Sequence, residues 1–155
     1  VVVFPATKSL FSYYSRFGFT SCAFSERMFF ENGEERELTK VGFSEEIYSL
    51  YLSSCKKNEV YKPKELFAAA IKEAEISDGG LFMSDGSFAF SYVENGVRIV
   101  TEPFGKDEKA VAKAFSANEK TWLILPSEKK DEPLAMTTGG ENLYADNFLN
   151  FNQYI

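Results

Sequence analysis

Residues 81–102 read LFMSDGSFAFSYVENGVRIVTE, and this stretch decides the fold class. Two pairs of turn residues, Asp85-Gly86 and Asn95-Gly96, divide it into three segments, and such pairs tolerate the positive φ of a tight hairpin turn. In the middle segment, aromatic residues alternate with small ones, which gives a strand one packed face. The stretch therefore predicts three hairpin-linked strands, namely Leu81–Ser84, Ser87–Val93 and Val97–Glu102.

Helices are predicted on both sides of these strands. Ser44 caps a helix that runs to about Cys55, and Pro63 opens a second helix that runs to about Glu75. A short helix at Asp107–Phe115 and a strand at Thr121–Leu125 follow. This order predicts an α/β (α+β) lobe in which helices flank a mostly antiparallel sheet.

The first 41 residues form a separate pattern. Val1–Phe4 is a continuous apolar run that is typical of a buried strand in a parallel sheet. Thr7 and Gly18 are the expected caps of a helix over Lys8–Phe17. Two strands are predicted after it, at Phe19–Ala23 and Arg27–Glu31. A hairpin turn at Asn32-Gly33 is then expected to lead into a returning strand at Arg36–Val41. The domain boundary is expected near residues 40–43, which divides the chain into 1–42 and 43–155.

The composition excludes several classes of function. The chain has 17 basic and 23 acidic residues and a net charge of -6, which disfavours nucleic acid and anionic membranes as partners. It contains no His, so Ser-His-Asp catalysis and His-ligated metal sites are excluded within these residues. Cys22 and Cys55 lack the spacing of a zinc motif and are expected to be reduced thiols of a cytoplasmic protein, and no metal is expected.

Two short motifs carry a resemblance to a known family. Phe4-Pro5-Ala6 ends a buried strand, and a helix then finishes with Tyr14-Ser-Arg-Phe-Gly18-Phe19. This arrangement resembles the end of the acetyl-CoA-binding half of the GNAT N-acetyltransferase superfamily, and the element order from residue 44 to 126 also resembles a GNAT half. The resemblance is to bacterial two-lobed GNAT proteins. It implies that residues 1–42 are the terminal strand, helix and hairpin of a first lobe and that residues 43–155 are a second, degenerate lobe.

The resemblance implies a cytoplasmic bacterial acyltransferase that uses acetyl-CoA as co-substrate. The acceptor would be a small-molecule or peptide primary amine that attacks the acetyl group directly. Tyr14 matches the tyrosine that protonates the departing thiolate in many members, and a phenol is protonated at neutral pH. The structural alternative is that Tyr14 only packs, because it shares a helical face with Leu10 and Phe17.

The chain departs from the family pattern at the pyrophosphate loop. That Gly-rich loop points backbone N–H groups at phosphate. In the first lobe this loop is expected before the strand of Val1–Phe4. The equivalent stretch of the second lobe, Pro103–Glu108, has a single Gly and two carboxylates. The chain alone is therefore expected to be inactive, and no cofactor-binding residues are assigned. The alternative function is a non-catalytic α+β interaction or scaffold module.

Other residue groups are weaker candidates. Acidic pairs, glycine pairs and separate aspartates are most simply explained as solvated or turn positions; they are Glu34-Glu35, Glu45-Glu46, Gly79-Gly80, Gly139-Gly140, Asp78, Asp85 and Asp131. The apolar opening segment is expected to pair with a second copy of the chain, giving a homodimer, or to pack onto the sheet of the second lobe. The aromatic tail, with Tyr144, Phe148, Phe151 and Tyr154, is expected to dock on its own core.

Overall fold

The structure, a computed structural model, describes residues 2–3, 5–55, 59–127, 132–138 and 150–151. Its elements in chain order are β1 (Val2–Val3), α1 (Lys8–Ser15), β2 (Thr20–Phe30), β3 (Thr39–Val41), α2 (Glu45–Ser54), β4 (Glu59–Val60), α3 (Lys64–Ile76), β5 (Gly80–Ser84), β6 (Ser87–Glu94), β7 (Val97–Gly105), α4 (Ala110–Phe115), β8 (Thr121–Pro126), β9 (Glu132–Thr137) and β10 (Asn150–Phe151). In the described part of the chain, no helix is both long and apolar enough to cross a membrane.

The chain divides into two compact units, and each draws on separate stretches of sequence. The first unit comprises Val1–Glu26, Lys57–Val60 and Pro126–Phe151. The second comprises Arg27–Lys56, Tyr61–Leu125 and Asn152–Ile155. The assignment of residues 1–42 and 43–155 to two GNAT lobes stays a prediction.

In the first unit, β9 lies between β1 and β2 and pairs antiparallel with both. Val2 pairs with Thr137 and Val3 with Met136. The predicted opening strand is therefore confirmed for these two residues, but the expectation of a parallel sheet is wrong. This segment pairs with β9 of the same chain, and its pairing with a second copy of the chain stays a prediction. Val1 and Phe4 lie outside the described residues.

Strand β2 corrects a prediction of two strands. The sequence predicts Phe19–Ala23 and Arg27–Glu31 with an interruption between them, whereas β2 is continuous from Thr20 to Phe30. Its register against β9 shifts on both sides of Ala23. These irregularities break the strict alternation of inward and outward residues. The sequence pattern is therefore interrupted although the strand is not.

The second unit is a sheet with helices on both faces, which confirms the predicted fold class. Its strands lie in the order β3-β5-β6-β7-β8, and only the β7–β8 pair is parallel. Phe88 and Phe90 of β6 pack in one cluster with α2 and α3, whereas Ala89 packs in another with α4. Because neighbouring residues of a strand point to opposite faces, the two clusters lie on opposite faces of the sheet.

The predicted hairpin at Asn32-Gly33 is wrong. The returning strand shortens to β3, and β3 pairs with β5 rather than with β2. Asn32 does adopt a positive φ of 53°. However, the N–H of Gly33 donates to the carbonyl of Ser116 at 3.0 Å, at the end of α4. Gly33 is thus placed by its close approach to α4 and not by a strand-to-strand turn.

The close approach of Gly33 to α4 predicts a steric effect. A Cβ at residue 33 would lie 2.9 Å from the carbonyl oxygen of Lys113 and 2.2 Å from Oγ of Ser116. We expect Gly33→Ala to lower the free energy of unfolding by about 1–3 kcal/mol, the usual cost of overpacking. Gly42→Ala is the matched control, because nothing lies within 4 Å of a Cβ at that residue. Equal stabilities of the two variants in urea titrations would contradict this placement.

Candidate functional site

Tyr14 lies at the C-terminal end of α1. The helix begins after Thr7, whose side chain accepts a hydrogen bond from the N–H of Leu10 at 3.4 Å. The Tyr14 side chain is half-buried, and its ring contacts Tyr13 and Phe19 at centroid distances of 5.5 and 5.4 Å. Within the described residues, no hydrogen bond occupies its hydroxyl. The Tyr14 hydroxyl can therefore donate a hydrogen bond to a group that the structure does not describe.

The motif around Tyr14 forms a specific helix-ending structure. Gly18 has a φ of 80°, in the left-handed region that favours glycine. The N–H of Phe19 donates to the carbonyl of Tyr14 at 3.3 Å, and the N–H of Gly18 donates to that of Ser15 at 3.2 Å. These two bonds, with the Tyr14–Phe19 ring contact, are the Schellman C-cap and its hydrophobic contact. The spacing from Tyr14 to Gly18 and Phe19 is thus what this cap requires.

The turn between β7 and α4 is stabilised by the chain's own carboxylate. The side chain of Asp107 accepts from the N–H of Lys109 at 2.9 Å and pairs with the Lys113 ammonium at 3.2 Å. The N–H of Asp107 donates to Oγ of Ser87 at 2.8 Å. The Lys109 amide, and then Lys113, lower the pKa of Asp107. Because the Asp107 carboxylate already accepts from the N–H of Lys109, this backbone amide is not free to bind a pyrophosphate.

A buried ion pair lies on the aromatic side of the second unit's sheet. The Lys62 ammonium contacts both carboxylate oxygens of Glu102, and the two residues are only 4% and 6% exposed. Two tyrosines of α2 fix the backbone of Lys62. Tyr51 accepts from its N–H at 2.9 Å, and Tyr48 donates to its carbonyl at 3.2 Å. The sequence pattern singled out neither member of this pair.

Glu102 is part of a β-bulge in β7. Thr101 stands opposite Phe90, and Phe104 stands opposite Phe88. Two residues of β7, Glu102 and Pro103, therefore face the single residue between Phe88 and Phe90, which defines a bulge. Glu102 has a φ of 50°. That conformation costs a residue other than glycine about 1–2 kcal/mol.

The bulge changes the direction of Phe104. Thr101 lies on the aromatic face of the sheet, so strict alternation would direct Phe104 to the opposite face. Instead, its ring stacks on Phe88 at 5.2 Å and meets the Tyr51 ring edge-on at 5.5 Å. The extra residue thus adds Phe104 to the aromatic cluster that packs against α2 and α3.

Burial raises the pKa of both acidic groups that contact Lys62. It raises the pKa of Glu102, although the nearby Lys62 charge acts in the other direction. It also raises the pKa of Tyr51, whose phenol therefore stays protonated. Removing two charges from water costs several kcal/mol per ion, and this cost is offset only when both partners are present.

The remaining sequence candidates do not come together. Glu34 and Glu35 are exposed, and Glu45 pairs with Lys64. Asp85 pairs with Arg36 at 3.0 Å, and Asp78 ends α3 with a φ of 52°. Across the described ranges, no group of three or more acidic or Cys side chains is placed to hold a metal ion, and neither Cys22 nor Cys55 forms a disulfide. Asp131, Gly139-Gly140, Tyr144, Phe148 and Tyr154 lie outside the described residues, as does the Phe151 side chain.

Comparisons with known proteins define the fold. No protein-family model matches the sequence, and no curated protein is significantly similar to it. Among solved structures, a GCN5-related N-acetyltransferase from Kribbella flavida is 16% identical with a TM-score of 0.51. A protein of Enterococcus faecalis V583, described as a conserved protein of unknown function and probable N-acyltransferase, is 11% identical with a TM-score of 0.59.

These likenesses extend over most of the chain. Each match covers 87% of it, but only 42% and 43% of the two known chains. The chain therefore has the fold of the GCN5-related N-acetyltransferases and spans less than half the length of these two structures. At such low identity, the likeness establishes the fold alone.

The capping role of Asp107 predicts a pH-dependent loss of stability. We expect Asp107→Ala to lower the free energy of unfolding at pH 7 by about 1 kcal/mol, the usual value of a capping side chain. Because the pKa of Asp107 is lowered in the folded state, its contribution is present above the unfolded pKa and is lost as the pH falls through the folded pKa. Thermal unfolding between pH 2 and 7 measures it, with the exposed neighbour Glu108→Ala as control. A difference from wild type that is independent of pH would contradict this role.

The buried pair predicts strong coupling between Lys62 and Glu102. We expect Lys62→Met or Glu102→Gln alone to lower the free energy of unfolding by about 3–5 kcal/mol, because each leaves a buried group without its counter-charge. The double variant buries neither charge and should recover much of that loss. Denaturant titrations of the four proteins complete the cycle. Additive losses would show that the two side chains act independently.

Proposed function

We propose that this chain is part of a GNAT-type N-acetyltransferase that moves an acetyl group from acetyl-CoA to a primary amine. The observation that carries the proposal is the fold, together with the position of Tyr14 at a capped helix end with an unoccupied hydroxyl. In this reaction the amine nitrogen attacks the acetyl carbonyl and loses a proton. The new C–N bond replaces the C–S bond, and coenzyme A leaves as a thiolate.

Tyr14 is the proposed general acid for the departing thiolate. A phenol is protonated at neutral pH and can donate to a thiolate of similar basicity. The Schellman cap and the Phe19 ring fix the position of the Tyr14 ring. A ring that is fixed before the reaction loses little conformational freedom when its hydroxyl donates a proton.

The second unit is proposed to support the reaction without binding the nucleotide. In its β7–α4 turn, the Asp107 carboxylate accepts a hydrogen bond from the N–H of Lys109. A pyrophosphate at this turn would meet negative charge rather than free N–H groups. We assign this unit to shaping the acceptor side, for a small-molecule or peptide amine, in a cytoplasmic protein that can form a homodimer. The same turn favours the second candidate function, a non-catalytic interaction or scaffold module.

The charge at the β7–α4 turn gives a binding prediction. We expect the 155-residue chain to bind acetyl-CoA without useful affinity, because among the described residues the β7–α4 turn offers no cluster of free backbone N–H groups for the pyrophosphate. Isothermal titration calorimetry measures this directly. Binding in the micromolar range would show that the phosphate site lies elsewhere in these residues.

The role of Tyr14 gives a kinetic prediction. In the full-length protein, we expect Tyr14→Phe to lower kcat about 10²-fold or more, because the hydroxyl acts chiefly in the transition state. The KM for acetyl-CoA should change little. Tyr13→Phe is the matched control, because Tyr13 is the neighbouring tyrosine of the same helix and is 51% exposed. Both variants keep their rings and should therefore unfold like the wild type.

Acetylation of a panel of primary amines separates the two candidate functions. Unchanged turnover of Tyr14→Phe in an active protein would leave Tyr14 with only its capping role. A full-length protein that acetylates no amine in the panel and binds no acetyl-CoA would support the scaffold alternative.

A further inference from the structure

The pairing of β6 with β7 has two alternatives that lie one residue apart. In the bulged register, Phe104 stands opposite Phe88. Without the bulge, Glu102 would stand opposite Ala89, and Phe104 would stand opposite Ser87 on the α4 face. A change of one residue moves each following side chain to the other face of a sheet. The bulged and unbulged pairings would therefore be two discrete arrangements of the strand, of which the structure has the bulged one.

The contact with Lys62 exists in only one of these arrangements. Lys62 lies on the aromatic face of the sheet, with its ammonium 5.8 Å from the centre of the Phe90 ring. In the unbulged register, the side chain of Glu102 would point to the opposite face with that of Ala89. A contact that is made in one state alone shifts the equilibrium toward that state.

We propose that the Lys62–Glu102 pair is a register latch that selects the bulged pairing of β6 and β7. Tyr48 and Tyr51 fix the backbone of Lys62, and the buried side chain places its ammonium against both carboxylate oxygens of Glu102. In the type of bulge that has a left-handed residue, that residue is usually glycine. Here Glu102 occupies that position, and its carboxylate supplies the interaction that a glycine could not make.

The latch also determines where β7 and β8 separate. Their parallel pairing runs from Arg98–Thr121 to Thr101–Ile124, and in the described part of the chain it ends immediately before Glu102. Without the bulge, residues 102–105 would continue in line with β8. The latch therefore controls the local opening between the two parallel strands. This inference does not depend on the proposed acetyltransferase activity.

Native-state hydrogen exchange with mass spectrometry tests the latch. The test variant is Lys62→Met/Glu102→Gln, which removes both charges and leaves neither one unpaired in the core. The control is Lys40→Met/Glu75→Gln, which removes an exposed pair whose charged atoms lie 3.5 Å apart. We expect peptides that cover residues 101–106 and 87–88 to exchange at least tenfold faster in the test variant. Peptides of β5, and all peptides of the control, should exchange as in the wild type.

Two results would overturn the proposal. A folded test variant with wild-type protection over residues 101–106 would show that the pair does not select the register. Complete loss of folding in the test variant would show that the pair supports the whole unit and not one local pairing. A second variant isolates the register itself: deletion of Pro103 with Lys62→Met and Glu102→Val removes the extra residue of the bulge. It should restore protection over the remaining residues of 101–106, and a failure to do so would also contradict the latch.

Discussion

In the second unit, the place of Phe104 in the aromatic cluster depends on one extra residue in β7, which lies beside a buried ion pair. Phe104 belongs to the aromatic cluster with Tyr51, Phe67 and Phe88. Strict alternation along β7 would direct its side chain to the opposite face of the sheet. The bulge at Glu102 corrects this direction at the cost of a left-handed backbone. The Lys62 ammonium compensates the buried carboxylate. The contribution of Phe104 to the packing of α2 and α3 is thus linked to a contact between residues 40 positions apart.

Local signals explain which parts of the fold the sequence predicts. The turns at Asp85-Gly86 and Asn95-Gly96 have positive φ at all four residues, and the strands on either side of them pair as expected. The helix caps at Thr7 and Ser44 also form. The failures are long-range. Asn32-Gly33 has the composition of a hairpin turn, but Gly33 is set by its contact with α4, and no local pattern reveals that contact.

In the candidate site, too, the sequence reveals the locally determined residues and misses the pair that forms over a long range. The motif from Tyr14 to Phe19 is readable because a Schellman cap needs glycine at one position and an apolar pair around it. That requirement explains the spacing without any catalytic role, and a role of Tyr14 in acyl transfer stays a proposal. Lys62 and Glu102 have no such motif. The available signal was Pro103 inside an apolar strand, followed by an aromatic residue with the wrong alternation.

A nuclear Overhauser spectrum of the phenylalanine-labelled chain tests the bulged register of β7 most directly. The bulged register predicts cross-peaks from the Phe104 ring to the rings of Phe88 and Tyr51, whose centroids lie 5.2 and 5.5 Å from the Phe104 centroid. It predicts none from Phe104 to the methyl groups of Val111 in α4, which packs on the opposite face. Cross-peaks to Val111 in place of those to Phe88 would contradict the bulge, and with it the role assigned to Lys62 and Glu102.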